Sequence, residues 1–344
     1  MKYIITHTSP DWDAIGSVWL IKRYLSGWQE AKVLFVPAGQ RVQNSKYKIQ
    51  IEDELKQVTD EAIEKIGEDE YMHVDTGLGP LDHHQTNDQT VCGASRCWEY
   101  IQVQSSKLKV KSESNVFLSF QGKLESSEGS VLAGSRIKSG MTTNEASGFT
   151  QEHKEAISRI VKILVEIDHF REIFWGDPLA DYQEFSLVGI LDGLKLAKPS
   201  QDDLYMDYGI TSLNALVDEF ENRIWAEKEI KEKGVEFESR WGKSIGFETL
   251  NDTVIKLSQK MGYNLVLRKD PNKGYVRIKL RPTLEPDPKQ DLTLAYENLH
   301  KIDPDATWYL HIGKKMLLNG TPKNPKMIAT KLSLQQIIEV LKKI

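Results

Sequence analysis

The stretch that decides the fold runs from residue 3 to residue 17 and reads Tyr-Ile-Ile-Thr-His-Thr-Ser-Pro-Asp-Trp-Asp-Ala-Ile-Gly-Ser. Its apolar start predicts a buried strand, and the apolar spacing over residues 14–25 predicts a helix. Between them, His7, Asp11 and Asp13 fall within one strand-to-helix turn. An imidazole with two carboxylates in such a turn suits a divalent metal ion, and the alternative is that Asp11 or Asp13 caps the helix.

The same alternation of strands and helices continues along the first hundred residues. Residues 32–37 and 71–75 are further apolar runs of strand length, and the second run ends at Asp75. This pattern predicts a parallel sheet, in which ligands bind beyond the carboxyl ends of the strands. We therefore expect an α/β protein, with a parallel-sheet N-terminal domain and a smaller α+β C-terminal domain.

A second polar cluster follows Asp75. The turn at residues 77–80 is expected to bring Asp82, His83 and His84 back beside that carboxylate. Adjacent histidines in a turn seldom serve packing. Together the two clusters supply enough imidazoles and carboxylates to bind two metal ions that share one carboxylate.

The chain has 344 residues, more than one compact core usually holds, so we expect two domains. The expected divisions are a metal-binding domain over 1–195, a helical connector over 196–245 and a basic substrate-binding domain over 246–344. Residues 103–150, rich in Ser, Gly and Lys, predict an insertion that is either a β-hairpin or a mobile loop. Further predicted elements are helices over 151–174, 212–233 and 333–343, and a hairpin formed by 263–268 and 275–281.

The net charge of −5 combines two regions of opposite sign. Residues 1–250 carry 28 Lys and Arg against 41 Asp and Glu, whereas residues 251–344 carry 17 against 9. An acidic region joined to a basic one is compatible with metal-assisted phosphate chemistry, and a solvated basic surface is the alternative. The absence of a long uncharged apolar run predicts no membrane span, and a cytoplasmic location is the default expectation.

These motifs resemble those of the DHH phosphoesterase superfamily, which includes RecJ-type exonucleases, nanoRNases and family II inorganic pyrophosphatases. The resemblance rests on the run from His7 to Ser17, the strand-end Asp75 and the literal Asp82-His83-His84, in that order. It covers roughly residues 1–195. The superfamily's fourth motif is a further aspartate after a helix. The best match is Asp168, and the competing aspartates are Asp177, Asp181 and Asp192.

The resemblance also implies the roles of these residues. Two divalent cations are implied, Mn²⁺ first and Mg²⁺ as the alternative. The implied metal ligands are His7 and Asp11 for one ion, Asp13, His83 and Asp168 for the other, and Asp75 as the bridge. Asp82 and His84 are the implied catalytic pair, in which Asp82 orients an imidazole and His84 points at the substrate phosphate.

Several features, most of them in the C-terminal region, are similar to the melanocyte proliferating gene 1 branch of the superfamily. The similarity includes Asp82–Gln85, the pair Arg240-Trp241, and residues 276–278 and 307–311. The first motif here instead has the Pro-Asp-x-Asp form of the wider superfamily. Candidate phosphate-binding residues of this region are Arg268, Arg277, Lys279, Arg281, His311, Lys315 and Gly320.

The leading functional hypothesis is a metal-dependent phosphoesterase that cleaves nucleic acid or short oligonucleotides as a 3′-5′ exonuclease, with its active site in the cleft between the domains. One alternative is a small-molecule enzyme, namely a phosphatase, a pyrophosphatase or a dinucleotide phosphodiesterase. The other is a catalytically inert nucleotide-binding regulatory module. The expected partner is nucleic acid or a phosphorylated small molecule, no membrane is expected, and a homodimer is left open.

Overall fold

The computed structural model describes residues 1–42, 59–119, 149–285, 287–320, 324 and 326–344. Within these residues the chain forms ten strands and eight α-helices. The strands are β1 (Lys2–His7), β2 (Lys32–Val36), β3 (Glu64–Ile66), β4 (Asp69–His73), β5 (Val235–Ser239), β6 (Gly242–Glu248), β7 (Leu265–Lys269), β8 (Val276–Leu280), β9 (Trp308–Leu310) and β10 (Met316–Asn319). The helices are α1 (Trp12–Tyr24), α2 (Gly93–Ser119), α3 (Gln151–Asp168), α4 (Leu187–Ala197), α5 (Asp202–Lys233), α6 (Thr253–Lys260), α7 (Thr293–Ile302) and α8 (Leu334–Lys342).

The chain divides into two compact units, residues 1–220 and 221–344. The first unit contains a four-stranded sheet in the order β2-β1-β4-β3. β1 pairs in parallel with both β2 and β4, whereas the short β3 is antiparallel to β4. The predicted α/β sheet is therefore confirmed as a mostly parallel sheet, with β1 and β4 as its inner strands. Because β1 and β4 are parallel neighbours, their carboxyl ends lie at the same edge of the sheet.

Helix α1 is buried along almost its whole length. It packs against α2 and α3, and its apolar side chains form the core of the first unit together with those of α3 and the first half of α5. A Cβ at Gly16 would come within 2.4 Å of the Leu164 side chain, so the glycine permits α3 to approach α1 closely. This packing fixes the end of α3, where Asp168 lies.

Three predicted elements of the first unit have different bounds. The predicted insertion at 103–150 is wrong over 103–119, which continues α2. This stretch contains neither Gly nor Pro to end a helix, and its short apolar alternation does not specify a strand; residues 120–148 lie outside the described residues. The helix predicted over 151–174 ends at Asp168 because Phe170 has a left-handed φ of 55°. The helix predicted to start near residue 212 begins at Asp202, and Ser212 donates back to the Tyr208 carbonyl instead of capping.

The second unit contains a six-stranded sheet in the order β5-β6-β7-β8-β10-β9. The β6–β7 pair is parallel and the other four pairs are antiparallel. The predicted hairpin is present as β7 and β8, and the terminal helix is α8. Helices α7 and α8 contribute to one apolar core with the sheet, and α6 contributes to another.

The predicted helical connector over 196–245 is wrong at its carboxyl end. Residues 235–239 form β5 and residues 242–248 form β6, so this part belongs to the sheet of the second unit. The unit boundary at Phe220 falls within α5, and a continuous helix gives no composition signal of a boundary. Among the described residues, no helix combines the length and apolar character needed to cross a membrane.

Candidate metal centre

The candidate site lies at the carboxyl edge of the parallel sheet. His7 is the last residue of β1, and Asp75 follows the end of β4 by two residues. Asp75 has a left-handed φ of 51°, and its N–H donates to the carbonyl of Leu81 at 3.0 Å. This bond closes the loop after β4 and returns the chain at Asp82 and His83. The sheet and this closed loop bring the two sequence clusters together.

One oxygen of Asp75 belongs to a first group of side chains. His7 Nε2 lies 3.3 Å from Asp75 Oδ2 and 3.7 Å from Asp11 Oδ2. The three ligand atoms lie within 4.8 Å of one another. The resemblance implies this same set for the first metal.

The other oxygen of Asp75 belongs to a second group. His83 Nε2 lies 3.5 Å from Asp75 Oδ1, 3.5 Å from Asp13 Oδ2 and 3.6 Å from Asp168 Oδ2. The Nε2 atom of His83, Oδ1 of Asp75 and Oδ2 of Asp168 are buried, and none of the three has a hydrogen-bond partner among the described residues. Buried polar atoms without partners are costly, so their convergence is a specific arrangement. A cation bound to all three atoms would give each of them the partner that it lacks.

The carboxylates of the site repel one another in the absence of a cation. Burial, together with the charges of Asp75 and Asp11, raises the pKa of Asp13 well above its usual range. Burial and neighbouring carboxylates likewise raise the pKa values of Asp75 and Asp168, each to about 6. Burial lowers the pKa of His7, but Asp11 and Asp75 outweigh it and raise that pKa to about 11. A positive charge is therefore strongly favoured among these carboxylates, which fits a cation site.

The carboxylates of Asp11 and Asp13 both cap helices, Asp11 with one oxygen and Asp13 with two. Asp11 Oδ1 accepts the N–H groups of Asp13 and Ala14 at the start of α1, which leaves Oδ2 facing His7. Desolvation raises the pKa of Asp11, but His7, the Ala14 N–H and the charge of Lys195 outweigh it and lower that pKa to about 2. The helix-capping alternative and the ligand hypothesis are therefore compatible for Asp11.

The carboxylate of Asp13 caps a different helix from the one that contains it. Its oxygens accept the N–H of Gly93 at 2.6 Å and that of Ala94 at 2.7 Å, at the start of α2. A Cβ at Gly93 would lie 2.8 Å from the Cβ of Asp75, so only glycine fits there without displacement. Gly93 is not among the residues predicted from the sequence, although the run of small residues from 93 to 95 is a detectable signal.

Asp82 organises the turn that carries both histidines. Its Oδ2 accepts the Leu78 N–H at 2.7 Å, and its Oδ1 accepts the His83 N–H at 2.7 Å and the Nδ1–H of His84 at 2.7 Å. The imidazole that Asp82 orients is thus that of His84. This hydrogen bond to Asp82 raises the pKa of His84 to about 9, even though desolvation opposes it. The His84 side chain is 54% exposed, so a cationic imidazole is presented to solvent at neutral pH.

Other polar residues near the site support the backbone. His169 Nε2 contacts the Val91 carbonyl at 2.9 Å and so joins the end of α3 to the segment before α2. His73 is buried, with Nδ1 3.1 Å from Glu64 and Nε2 accepting the Val42 N–H. Burial lowers the pKa of His73, as expected for a neutral structural histidine.

The candidate phosphate-binding residues of the second unit fall into two sets. Arg268 and Arg277 lie opposite each other on β7 and β8, and both form ion pairs with Asp252. Lys279 shares the less buried face of β8 with Arg277, and burial with that neighbouring charge lowers its pKa. Arg281 follows β8 and is exposed. Asp252 thus offsets part of the positive charge of the two arginines. Lys279 and Arg281 are the members of this set best placed to bind an added anion.

The second set lies around β9 and β10. His311 is exposed, and its Nδ1 accepts the Gly313 N–H at 3.1 Å. Lys315 is half-buried. Gly320 has φ +82°, and a Cβ there would lie 1.9 Å from the ring of Tyr275. The glycine therefore has a packing role, independent of any ligand.

Comparison with known proteins adds no functional information. No family model matches the chain, and no curated protein matches it. Among solved structures, the crystal structure of an uncharacterized protein from Helicobacter pylori G27 pairs with 100% of this chain and 99% of its own. The sequence identity is 9% and the TM-score is 0.22, a likeness that carries no argument.

Proposed function

We propose that this protein is a DHH-type, metal-dependent phosphoesterase that hydrolyses phosphodiester bonds of nucleic acid or short oligonucleotides from the 3′ end. The observation that carries the proposal is the position of Asp75, whose two oxygens face His7 and His83 separately. A carboxylate between two ligand groups is the arrangement of a two-metal site. The parallel order β2-β1-β4, with these residues at its carboxyl edge, supports a DHH-type N-terminal domain.

The charge of the ligand set supports two divalent cations. Asp11, Asp13, Asp75 and Asp168 carry four negative charges when ionised, and two divalent cations neutralise them. Oxygen-rich sets with some imidazole suit Mn²⁺, with Mg²⁺ as the alternative. When bound, the cations would lower the pKa of a water molecule and offset the charge of the phosphate under attack. Burial and the neighbouring carboxylates raise the pKa values of Asp13, Asp75 and Asp168, and a positive charge placed among them would lower those values.

His84 is proposed to bind the substrate phosphate. Its Nδ1 is engaged by Asp82, and its ring is half-exposed and cationic at neutral pH. The Nε2–H is therefore available to donate to a phosphate oxygen, as a charge-assisted hydrogen bond. The hydrogen bond to Asp82 holds the imidazole of His84 in one orientation, so the side chain is preorganised for binding.

The basic C-terminal region favours an oligonucleotide over pyrophosphate. Lys279 lies on the less buried face of β8 and Arg281 follows that strand, while Arg277, on the same face as Lys279, is paired with Asp252. A row of cations along a strand matches the repeat of charges on a nucleic-acid backbone better than one compact anion. Lys279 and Arg281 are the proposed contacts for the phosphates of such a chain.

The test is a metal-supplemented hydrolysis screen on the purified chain. Single-stranded RNA and DNA of graded length, labelled at the 5′ end, are compared with dinucleotides and pyrophosphate in Mn²⁺, in Mg²⁺ and in EDTA. We expect Mn²⁺-dependent shortening from the 3′ end, and we expect Asp168→Asn to abolish it. Asp192→Asn is the matched control, because Asp192 is exposed and distant in sequence from the cluster.

Two results would redirect the proposal. A rate that falls steeply beyond two or three nucleotides would identify a small-molecule or dinucleotide enzyme. Nucleotide binding without turnover of any substrate in Mn²⁺ or Mg²⁺ would identify a regulatory module and refute the hydrolase proposal.

A further inference from the structure

The loop that carries His7 and Asp11 contains a left-handed residue at Ser9. Ser9 has a left-handed φ of 52° and precedes Pro10. A left-handed residue other than glycine is strained, and a residue before proline is further restricted to extended conformations. Such a conformation persists only where surrounding contacts hold it. This conformation therefore requires contacts from elsewhere in the chain.

Two distant side chains hold both backbone polar groups of Ser9. Asp202, the first residue of α5, accepts the Ser9 N–H through Oδ1 at 2.8 Å. Lys195, in the last turn of α4, donates from Nζ to the Ser9 carbonyl at 3.1 Å. Hydrogen bonds that involve a charged partner are stronger than those between neutral groups. We call Lys195 and Asp202 the Ser9 clamp.

We propose that the Ser9 clamp positions the first ligand group, so that Lys195 and Asp202 act on metal binding through the loop without being ligands. The loop sets the placement of His7 and Asp11 on either side of Ser9, and both must face the same region as Asp75. The inference rests on the proposed function, since it takes the first group to bind a divalent cation. Neither clamp residue belongs to the sequence motifs that point to a metal.

The charge of Lys195 provides a test of this inference, because charge and positioning predict opposite changes in metal affinity when Lys195 is replaced. Its ammonium lies near enough to Asp11 to help lower the pKa of that carboxyl. A cation so close repels a bound metal ion, so its removal should strengthen metal binding if charge alone matters. If the clamp matters more, the same removal should weaken metal binding. Lys195→Met therefore gives opposite results under the two explanations.

The experiment measures Mn²⁺ binding to the full chain by isothermal titration calorimetry and by electron paramagnetic resonance. We expect Lys195→Met and Asp202→Ala to weaken one of two Mn²⁺ equivalents by roughly tenfold or more. Lys195→Arg keeps a cationic donor and Asp202→Asn keeps the oxygen acceptor, so both should restore most of the affinity. If Asp202→Asn restores the Mn²⁺ affinity, the effect of Asp202 comes from its hydrogen bond to Ser9 and not from its negative charge.

Matched controls lie next to each clamp residue. Lys198→Met removes a neighbouring lysine just after α4, and Asp203→Ala removes the second residue of α5; both side chains are exposed. These variants should bind Mn²⁺ as the wild type does. Thermal unfolding of all variants in EDTA shows whether each is folded before metal is added. If the Met and Ala variants do not fold, Lys195→Arg and Asp202→Asn are compared with Lys195→Gln.

The possible outcomes are distinguishable. Tighter Mn²⁺ binding by Lys195→Met, equal weakening by Asp202→Asn and Asp202→Ala, or an unchanged affinity in every clamp variant would each overturn the clamp while leaving the two-metal proposal intact. A wild-type chain that binds no Mn²⁺ would overturn both.

Discussion

Replacement of Asp75 with Asn should stabilise the metal-free protein and abolish its metal-dependent activity. Asp75 is 2% exposed, and burial together with Asp11 raises its pKa from 3.8 to about 6, despite the opposing effect of His7. A folded-state pKa above the unfolded value stabilises the protein below about pH 4, and this stabilisation is lost as the pH rises through about 6. At pH 8 the ionised carboxylate therefore costs about 3 kcal/mol, since one pKa unit is about 1.4 kcal/mol. Asn keeps the shape of the neutral carboxyl and removes that cost.

The assay is urea unfolding at pH 8, in EDTA and again in Mn²⁺. In EDTA the Asn variant should exceed the wild type in free energy of unfolding by about 3 kcal/mol. In Mn²⁺ the wild type should gain about 2.7 kcal/mol at a hundredfold excess over its dissociation constant, and the variant should gain little. Asp192→Asn, at an exposed position, should change stability by less than about 0.5 kcal/mol. An Asp75→Asn variant less stable than the wild type in EDTA at pH 8 would refute the electrostatic reasoning.

Three further predictions concern protons and packing. Mn²⁺ should displace the proton from His7, whose pKa is raised to about 11, so apparent affinity should rise about tenfold per pH unit from about pH 7 to 8.5. Titration calorimetry in buffers of different ionisation enthalpy measures the proton release, and a pH-independent affinity would contradict the prediction. His84→Gln should lower kcat/KM about a hundredfold without changing Mn²⁺ binding. Because cationic His84 has a pKa of about 9, the rate should fall above that pH, and Asp82→Asn should move the fall to lower pH; an unmoved profile would exclude this pair. Gly93→Ala should destabilise the protein by about 1–3 kcal/mol through overpacking. Gly193→Ala, whose added Cβ has no neighbour within 4 Å among the described residues, should be neutral or stabilising by about 0.5–1 kcal/mol in thermal unfolding. Equal effects of the two substitutions would contradict the packing argument.

The sequence predicted the convergence of the polar clusters because that convergence follows from local rules. Parallel strands place their carboxyl ends at one edge, and the turn after Asp75 brings Asp82 and His83 back to it. For the fourth motif the sequence offers Asp168 and three competing aspartates, Asp177, Asp181 and Asp192. The structure brings Asp168 near His83, because α3 ends there and packs closely on α1 at Gly16.

The features that the sequence did not predict depend on contacts between distant residues. The bonds of Asp13 to the start of α2 and the bonds of Lys195 and Asp202 to Ser9 join elements far apart in the chain. No periodicity or local spacing encodes them. The early start of α5 was missed for a related reason: the Thr-Ser pair at 211–212 resembles a helix cap, but tertiary packing includes it in the helix interior.

The central claim is that Asp75 shares its two carboxylate oxygens between two metal ions. The most direct measurement is a crystal structure of the chain grown with Mn²⁺, with anomalous difference maps recorded at the manganese edge. The account predicts two manganese peaks, one contacted by Asp75 Oδ2 and His7 and the other by Asp75 Oδ1 and His83. A single peak, or two peaks without a shared Asp75, would contradict it.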